Sequence, residues 1–242
     1  GLINAHTHAG MTLLRGFADD LPHHRWLDEA IFPMEQKWGG RQFTYWGTLL
    51  ALCEMIRSGT TTFNDMYYFE EMAARAVDEA GMRAICGQTF IEISLVDDAK
   101  NIRKFDEYLS KVARYKNVIP AVAPHSVYGV SEKMWIRIID YAVKNNLRIH
   151  THLSESEQEV NDCLKRYGLR PTQFLDRLGL WDHPGVIAAH AVVVDDKDIE
   201  ILGGHKVGIA HNPESNLKLE NKICPVVELR AAGAKLAIAT DS

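Results

Sequence analysis

The sequence predicts a parallel α/β protein of the eight-stranded (β/α)8, TIM-like barrel type. Short apolar runs alternate with longer segments of helical period, the mark of βα units. The runs are rich in Val, Ile and Ala with little polar alternation, as strands covered on both faces require. Eight such runs with seven helical segments between them fit a closed barrel without its last helix better than an open doubly wound sheet, the alternative architecture.

The strands are expected near Leu2–Ala5, Thr60–Asn64, Arg83–Thr89, Val118–Ala123, Arg148–His152, Gly185–Ala189, Lys206–Ala210 and Lys235–Thr240. Helical patterns fall near Phe43–Ser58, Glu70–Ala80, Asp98–Tyr115, Glu132–Asn145, Glu155–Tyr167, Asp195–Leu202 and Val226–Ala232. Ser131 stands where an N-cap belongs, and Gly59, Gly81 and Gly233 follow their helices as stop signals. The stretch from Gly10 to Gly40 breaks the rhythm. It is long for a βα connection, and its Trp26, Trp38, Pro22 and Pro33 argue for an ordered lid with His23 and His24 on its surface.

Composition narrows the function classes. The 242 residues carry 46% hydrophobic and 24% charged side chains with a net charge of -5, an ordinary balance for a globular protein. With no basic cluster there is no electrostatic footprint for nucleic acid or an anionic membrane. The longest apolar stretch, near Val186–Val194, contains His190 and is too short to span a bilayer. Cys53, Cys86, Cys163 and Cys224 are scattered, which reads as reduced thiols in a cytoplasmic protein. The chain opens inside an apolar run and stops at Thr240-Asp241-Ser242, so residues 1–242 are expected to be one barrel domain of a longer chain.

The chemistry gathers at one end of the strands. His6, His8, Asn64, Asp65, His125, His152, His190, His211 and Asp241 all follow or close predicted strands. In a βα barrel those ends meet on one face, where active sites of such enzymes lie. His6 and His8 are two apart on a strand, so both imidazoles reach the same side. The spacing recurs at His150-Thr151-His152, and Asp241 adds a hard anionic donor beside the first strand once the barrel closes. Three imidazoles (His6, His8, His152) and the Asp241 carboxylate make a catalytic set for one divalent ion, because a coordination position stays open to water. Zinc suits the donors best, and iron or manganese stays open. Glu155, three residues past His152, reads either as a helix-start acid or as the base beside an activated water.

These residues resemble the amidohydrolase superfamily, and within it the 5'-methylthioadenosine/S-adenosylhomocysteine deaminases. The likeness rests on Gly1-Leu2-Ile3-Asn4-Ala5-His6-Thr7-His8, Met11-Thr12-Leu13-Leu14-Arg15-Gly16, Phe32-Pro33-Met34-Glu35, Ala123-Pro124-His125-Ser126, His152-Leu153-Ser154-Glu155, Ala188-Ala189-His190, His211-Asn212-Pro213-Glu214-Ser215-Asn216 and Ala239-Thr240-Asp241. It implies a metal-dependent hydrolytic deaminase that turns an adenosine-type nucleoside into the inosine-type product and ammonia. His6, His8, His152 and Asp241 would hold the metal, Glu155 would shuttle the proton, and His190 would hydrogen-bond the attacking water. Glu35 would bind the ribose hydroxyls and His125 the purine; His150 and His211 would be supporting residues. It implies a small-molecule nucleoside partner, a homo-oligomer, and a small β-domain flanking the barrel that these residues do not include.

Two departures matter. No lysine closes the fourth strand, where two-metal members carry one, and Pro124-His125 there favours a single ion. Gln88 stands where the family places an arginine against the amino-acid tail of S-adenosylhomocysteine, so an uncharged 5' group fits better. A guanine or cytosine deaminase, or a triazine chlorohydrolase, on the same barrel is the alternative; a non-catalytic metal-binding relative is another.

Overall fold

A computed structural model describes residues 1–18, 20–91 and 98–242; the side chains of His23, of residues 98–102 and of residue 104 are outside that description. Eight strands form one sheet in sequential order, each pair parallel: β1 (Leu2–Thr7), β2 (Thr60–Tyr67), β3 (Arg83–Phe90), β4 (Val118–Pro124), β5 (Arg148–Leu153), β6 (Val186–His190), β7 (Gly208–His211) and β8 (Lys235–Ile238). The sheet curls until its edges meet at a parallel bridge between Thr7 and Asp241. Across this seam Asn4 Nδ2 donates to Thr240 Oγ1 at 2.7 Å, Thr240 N donates to Asn4 Oδ1 at 3.1 Å, and Asp241 N donates to the His6 carbonyl at 3.1 Å. The nearly closed (β/α)8 barrel that the alternation predicts is the fold observed.

The outer helices are α1 (Arg41–Arg57), α2 (Glu70–Ala80), α3 (Asp98–Val112), α4 (Glu132–Asn145), α5 (Glu157–Tyr167), α6 (Pro171–Arg177), α7 (Asp196–Gly204), α8 (Pro213–Lys218) and α9 (Val226–Ala232). The strand period of two sorts side chains between two environments. On β5, Ile149 and Leu153 enter the main core with Trp135, Phe105 and Phe174, while His150 and His152 take the other side. A second cluster around Phe63, Val77, Cys86 and Tyr108 seals β2 and β3 beneath α2 and α3.

Three differences from expectation bear on the site. The lid is helical: His23–Arg25, a widened turn at Trp26–Ile31, and Phe32–Trp38. Its apolar face packs Ile31, Trp26 and Leu27 on Met11 and Tyr67, and His24 is exposed. Helices α6 and α8, each with proline in its first turn, add to the seven predicted helical segments. Finally, α5 begins at Glu157 rather than Glu155, because Ser156 caps it by accepting the Glu159 N–H. That cap leaves Glu155 outside the helix, in the turn that leads from β5 to the barrel mouth.

Candidate active site

His6 closes the inner row of β1 and is fully buried; His8 lies one residue past the strand. The Nε2 atoms of both lie 3.3 Å from Asp241 Oδ1, and His8 Nε2 lies 3.1 Å from His152 Nε2. Four side chains from the ends of β1, β5 and β8 thus gather at the barrel mouth. Ligand-capable atoms of His6, His8 and Asp241 fall within 4.8 Å of one another, as do those of His6, His152 and His190. The four sequence-predicted ligands come together, and His190 joins them within reach.

The outer nitrogens are already spoken for. His8 Nδ1 donates to the Met66 carbonyl at 2.7 Å and His152 Nδ1 to the His125 carbonyl at 2.8 Å. Each bond fixes a tautomer with the Nε2 lone pair turned inward, the arrangement that metal-bound histidines use. His6 Nδ1 shares a 2.8 Å hydrogen bond with His150 Nε2, which gives His150 its supporting role. His6 Nε2 is buried and makes no hydrogen bond among the described residues. Such an orphan is costly unless something electrophilic completes it, and a divalent cation fits the donor set. Burial pushes His6 down to about 4, and burial with the neighbouring imidazoles puts His150 and His152 well below the usual histidine range. The ring nitrogens of these three are therefore neutral donors at pH 7. Burial alone would raise Asp241, yet the imidazoles around it hold its carboxyl well below the ordinary value.

Glu155 and His190 complete the floor of the mouth. His190 Nε2 lies 3.7 Å from Glu155 Oε2 and 3.8 Å from Asp241 Oδ2, and its Nδ1 donates to Asn216 Oδ1 at 2.8 Å. Burial works against a charge on His190, but the two carboxylates and the Asn216 bond outweigh it and raise its pKa. Asn221 Nδ2 donates to Glu155 Oε1 at 3.4 Å. The fully buried Glu159 accepts the backbone N–H groups of Ser154 and Glu155 at 3.1 and 2.9 Å, holding the turn that presents Glu155. Ser215 Oγ donates to Asp241 Oδ2 at 2.6 Å. Ser215 and Asn216 carry no role legible from spacing alone; the first turns of α8 aim one at Asp241 and the other at His190.

Above this floor opens a cleft lined by Trp26, Leu27, Ile31, Phe32, Tyr68, Tyr128 and Leu219 besides the polar groups. An apolar cleft with a few convergent polar atoms has the character of a small-molecule site. Glu35 and His125 both line it. The Tyr67 hydroxyl donates to Glu35 Oε1 at 2.5 Å, and burial raises the Glu35 carboxyl. Tyr67 is held by close backbone approaches. A Cβ on Gly10 would lie 2.4 Å from its ring, and one on Gly47 of α1 would lie 2.1 Å from the Gly10 carbonyl. Gln88 does not line this cleft. Its Oε1 accepts the Glu70 N–H at 3.2 Å, its Nε2 donates to the Thr89 carbonyl at 3.3 Å, and it faces a neighbouring cleft beside Phe105 and Tyr108. Its side chain is engaged at the start of α2, in the cleft that shares Tyr68 and Thr89 with this one.

The whole chain, residues 1–242, matches the amidohydrolase family model. It is 43% identical to a 5-methylthioadenosine/S-adenosylhomocysteine deaminase of Thermodesulfovibrio yellowstonii, covering 100% of this chain and 55% of that protein. It is 42% identical to a 5'-deoxyadenosine deaminase of Methanocaldococcus jannaschii, covering 100% of this chain and 58% of that one. Among solved structures, a zinc-bound adenosine deaminase from Xanthomonas campestris superposes with a TM-score of 0.95 at 38% identity, over 100% of this chain and 56% of that one. The chain thus spans a little over half the length of these relatives. With the family model matched from the first residue to the last, the chain belongs to the amidohydrolase family.

Proposed function

We propose that this barrel is the metal-dependent catalytic part of a deaminase acting on adenosine-type nucleosides, with His6, His8, His152 and Asp241 holding one divalent ion, zinc by preference. The observation that carries the reading is the convergence of ligand-capable atoms of His6, His8 and Asp241, with His152 Nε2 3.1 Å from His8 Nε2, at the ends of three separate strands, His6 Nε2 being buried without a hydrogen bond among the described residues. Relatives above 40% identity that carry the names of adenosine-type deaminases support the substrate class, and the zinc-bound neighbour supports the metal. Four free cysteines, three of them buried, suit a reducing compartment, and a cytoplasmic homo-oligomer belongs to the same reading. No helix among the described residues is long and apolar enough to cross a membrane.

When bound, a divalent ion at such a site lowers the pKa of an attacking water from about 15.7 to about 7. Glu155 takes the proton of that water and delivers it to N1 of the purine as the oxygen adds to C6. His190, oriented by Asn216, donates to the oxygen as charge builds there; its geometry is set before reaction, which is where such donors gain their effect. Glu155 then takes the remaining proton from the C6 hydroxyl and passes it to the amino group, the C6–N bond breaks as the C6 carbonyl forms, and ammonia leaves with the inosine-type product. His125 lies beside the ring, and Glu35, backed by Tyr67, receives the ribose hydroxyls. With Gln88 engaged elsewhere, no arginine awaits a charged tail at that position, so 5'-methylthioadenosine or 5'-deoxyadenosine fits better than S-adenosylhomocysteine.

Ammonia release from adenosine, 5'-methylthioadenosine, 5'-deoxyadenosine and S-adenosylhomocysteine, measured on metal-quantified protein, tests the reading. Glu155→Gln should keep its zinc and lose turnover by about 100-fold or more, the ordinary worth of positioned acid–base catalysis. Ammonia from guanine, or chloride from a chlorotriazine, with no ammonia from any of the nucleosides would transfer the site to another member reaction of the same barrel, and Glu35→Ala would then be indifferent.

A further inference from the structure

Two acidic side chains outside the chemistry just described are fully buried against one another. Asp65 stands near the end of β2. Its Oδ1 accepts the Thr7 hydroxyl at 2.6 Å and the Ala9 N–H at 2.8 Å, the residues on either side of His8. The next residue of β2, Met66, takes the His8 Nδ1–H on its carbonyl. Strand β2 therefore grips residues 7–9 at three points, and Thr7 is also the residue bridged to Asp241. Asp65 is the residue that joins this grip to the interior behind it.

Glu70, the first residue of α2, is fully buried, and the Asp65 carboxyl and the Cys86 thiol are the side chains that act on it most directly. Asp65 Oδ2 and both oxygens of Glu70 have no hydrogen-bond donor among the described residues. The charges that Glu70 feels most are the carboxylates of Asp65 and Glu71. Two ionised carboxylates cannot share a dry contact: each is an acceptor only, and they repel. A single proton turns that contact into a donor–acceptor pair. The location of the proton follows from what each group accepts. Asp65 already receives two short hydrogen bonds, which favour its charged form, whereas Glu70 receives none from oxygen or nitrogen.

We propose that Glu70 is a resident carboxylic acid that donates to Asp65 Oδ2, and that this acid–carboxylate pair positions the ligand-bearing end of β1. Neither residue touches substrate; Asp65 acts through Thr7 and Ala9, and Glu70 through Asp65. The proton stands whether or not the protein deaminates nucleosides, while the effect on ion binding rests on the metal reading alone.

Infrared difference spectroscopy at neutral pH reads the proton directly, and zinc affinity by chelator competition reads the positioning; neither depends on turnover. The wild-type protein should show a protonated-carboxyl stretch that disappears in Glu70→Gln. Glu70→Gln keeps an N–H donor for Asp65 and should bind zinc within about threefold of wild type, whereas Glu70→Leu should bind about 10- to 100-fold more weakly, as when other partners of ligand-bearing groups are removed. An unchanged carboxyl band in Glu70→Gln, equal losses in both variants, or wild-type affinity in Glu70→Leu would each overturn the proposal. If Glu70→Leu does not fold, the infrared comparison of wild type with Glu70→Gln still decides it.

Discussion

Tyr67 shows how one hydroxyl can set specificity without touching the reacting atoms. It holds Glu35 at the cleft wall by a 2.5 Å bond, and a hydrogen bond to a charged group is worth about 1.5–3 kcal/mol. Tyr67→Phe should therefore raise KM for ribonucleosides about tenfold while leaving kcat nearly unchanged, and should matter less for a substrate lacking the ribose hydroxyls. Equal KM values for Tyr67→Phe and wild type would remove Tyr67 from this role. Glu159 gives a second test through pH. Burial, followed by the nearby Glu155 charge, overcomes its backbone hydrogen bonds and raises its pKa from 4.5 to about 7. The folded state thus holds the proton more tightly than the unfolded chain. The stability it contributes is complete below about pH 4.5 and is lost as pH rises through about 7. Glu159→Gln removes that dependence, so the variant should gain on wild type by on the order of 3 kcal/mol between those limits, besides a constant loss from the missing carboxylate oxygen. Parallel urea-unfolding stabilities for the two proteins at pH 5 and pH 8 would refute it. That His6, His8, His152 and Asp241 would gather at one end of the barrel was readable in the sequence because a strand's period of two and the shared end of a barrel are sequence properties. Tyr67, Glu159, Ser215 and Asn216 were not, since a hydrogen bond between residues such as Ser215 and Asp241, 26 positions apart, leaves no periodic trace.

At the scale of elements, the eight strands followed from their apolar runs, and the errors cluster where tertiary packing sets the conformation. Helices α6 and α8 are 7 and 6 residues long, too short for a helical period to emerge, and their proline starts read equally well as loop punctuation. The start of α5 was misplaced because Glu155 extends the helical pattern that the Ser156 cap cuts off. The lid was readable as ordered from its aromatic residues, but its helices were not, since the residues that stabilise them come from Met11 and Tyr67. The contact of α1 with the segment after β1 depends on the absence of a side chain at Gly47. Gly47→Ala improves helix propensity by about 1 kcal/mol, yet the new methyl would sit 2.1 Å from the Gly10 carbonyl. Overpacking of this kind costs about 1–3 kcal/mol, so the variant should melt lower than wild type. Because Gly10 lies on the Tyr67 ring, KM should rise as well. A stabilised Gly47→Ala protein would mean that this crossing is looser than its distances imply.

For the molecule as a whole, the proposed ion sits where the barrel is weakest. Seven strand pairs are joined by ladders, but β1 and β8 meet through the Thr7–Asp241 bridge and the polar contacts of Asn4, Thr240 and Asp241. His6 and His8 lie on one side of that seam, Asp241 on the other, and His152 faces them from β5. A cation held by all four would act as a strap across the closure, and any species that binds only the folded state stabilises it by mass action. Free zinc at about 100 times its dissociation constant should add about 2.7 kcal/mol, which for a domain of this size is a rise in Tm of roughly 5–10 °C. Chelation should reverse the rise. Asp241→Asn keeps the size of the side chain but removes its charge from the far side of the seam, so this variant should show little response to zinc, whereas Glu155→Gln, which leaves the four donors intact, should respond as wild type does. If Asp241→Asn gained the same thermal shift as wild type, the ion would be bound somewhere other than across the strands that close the barrel.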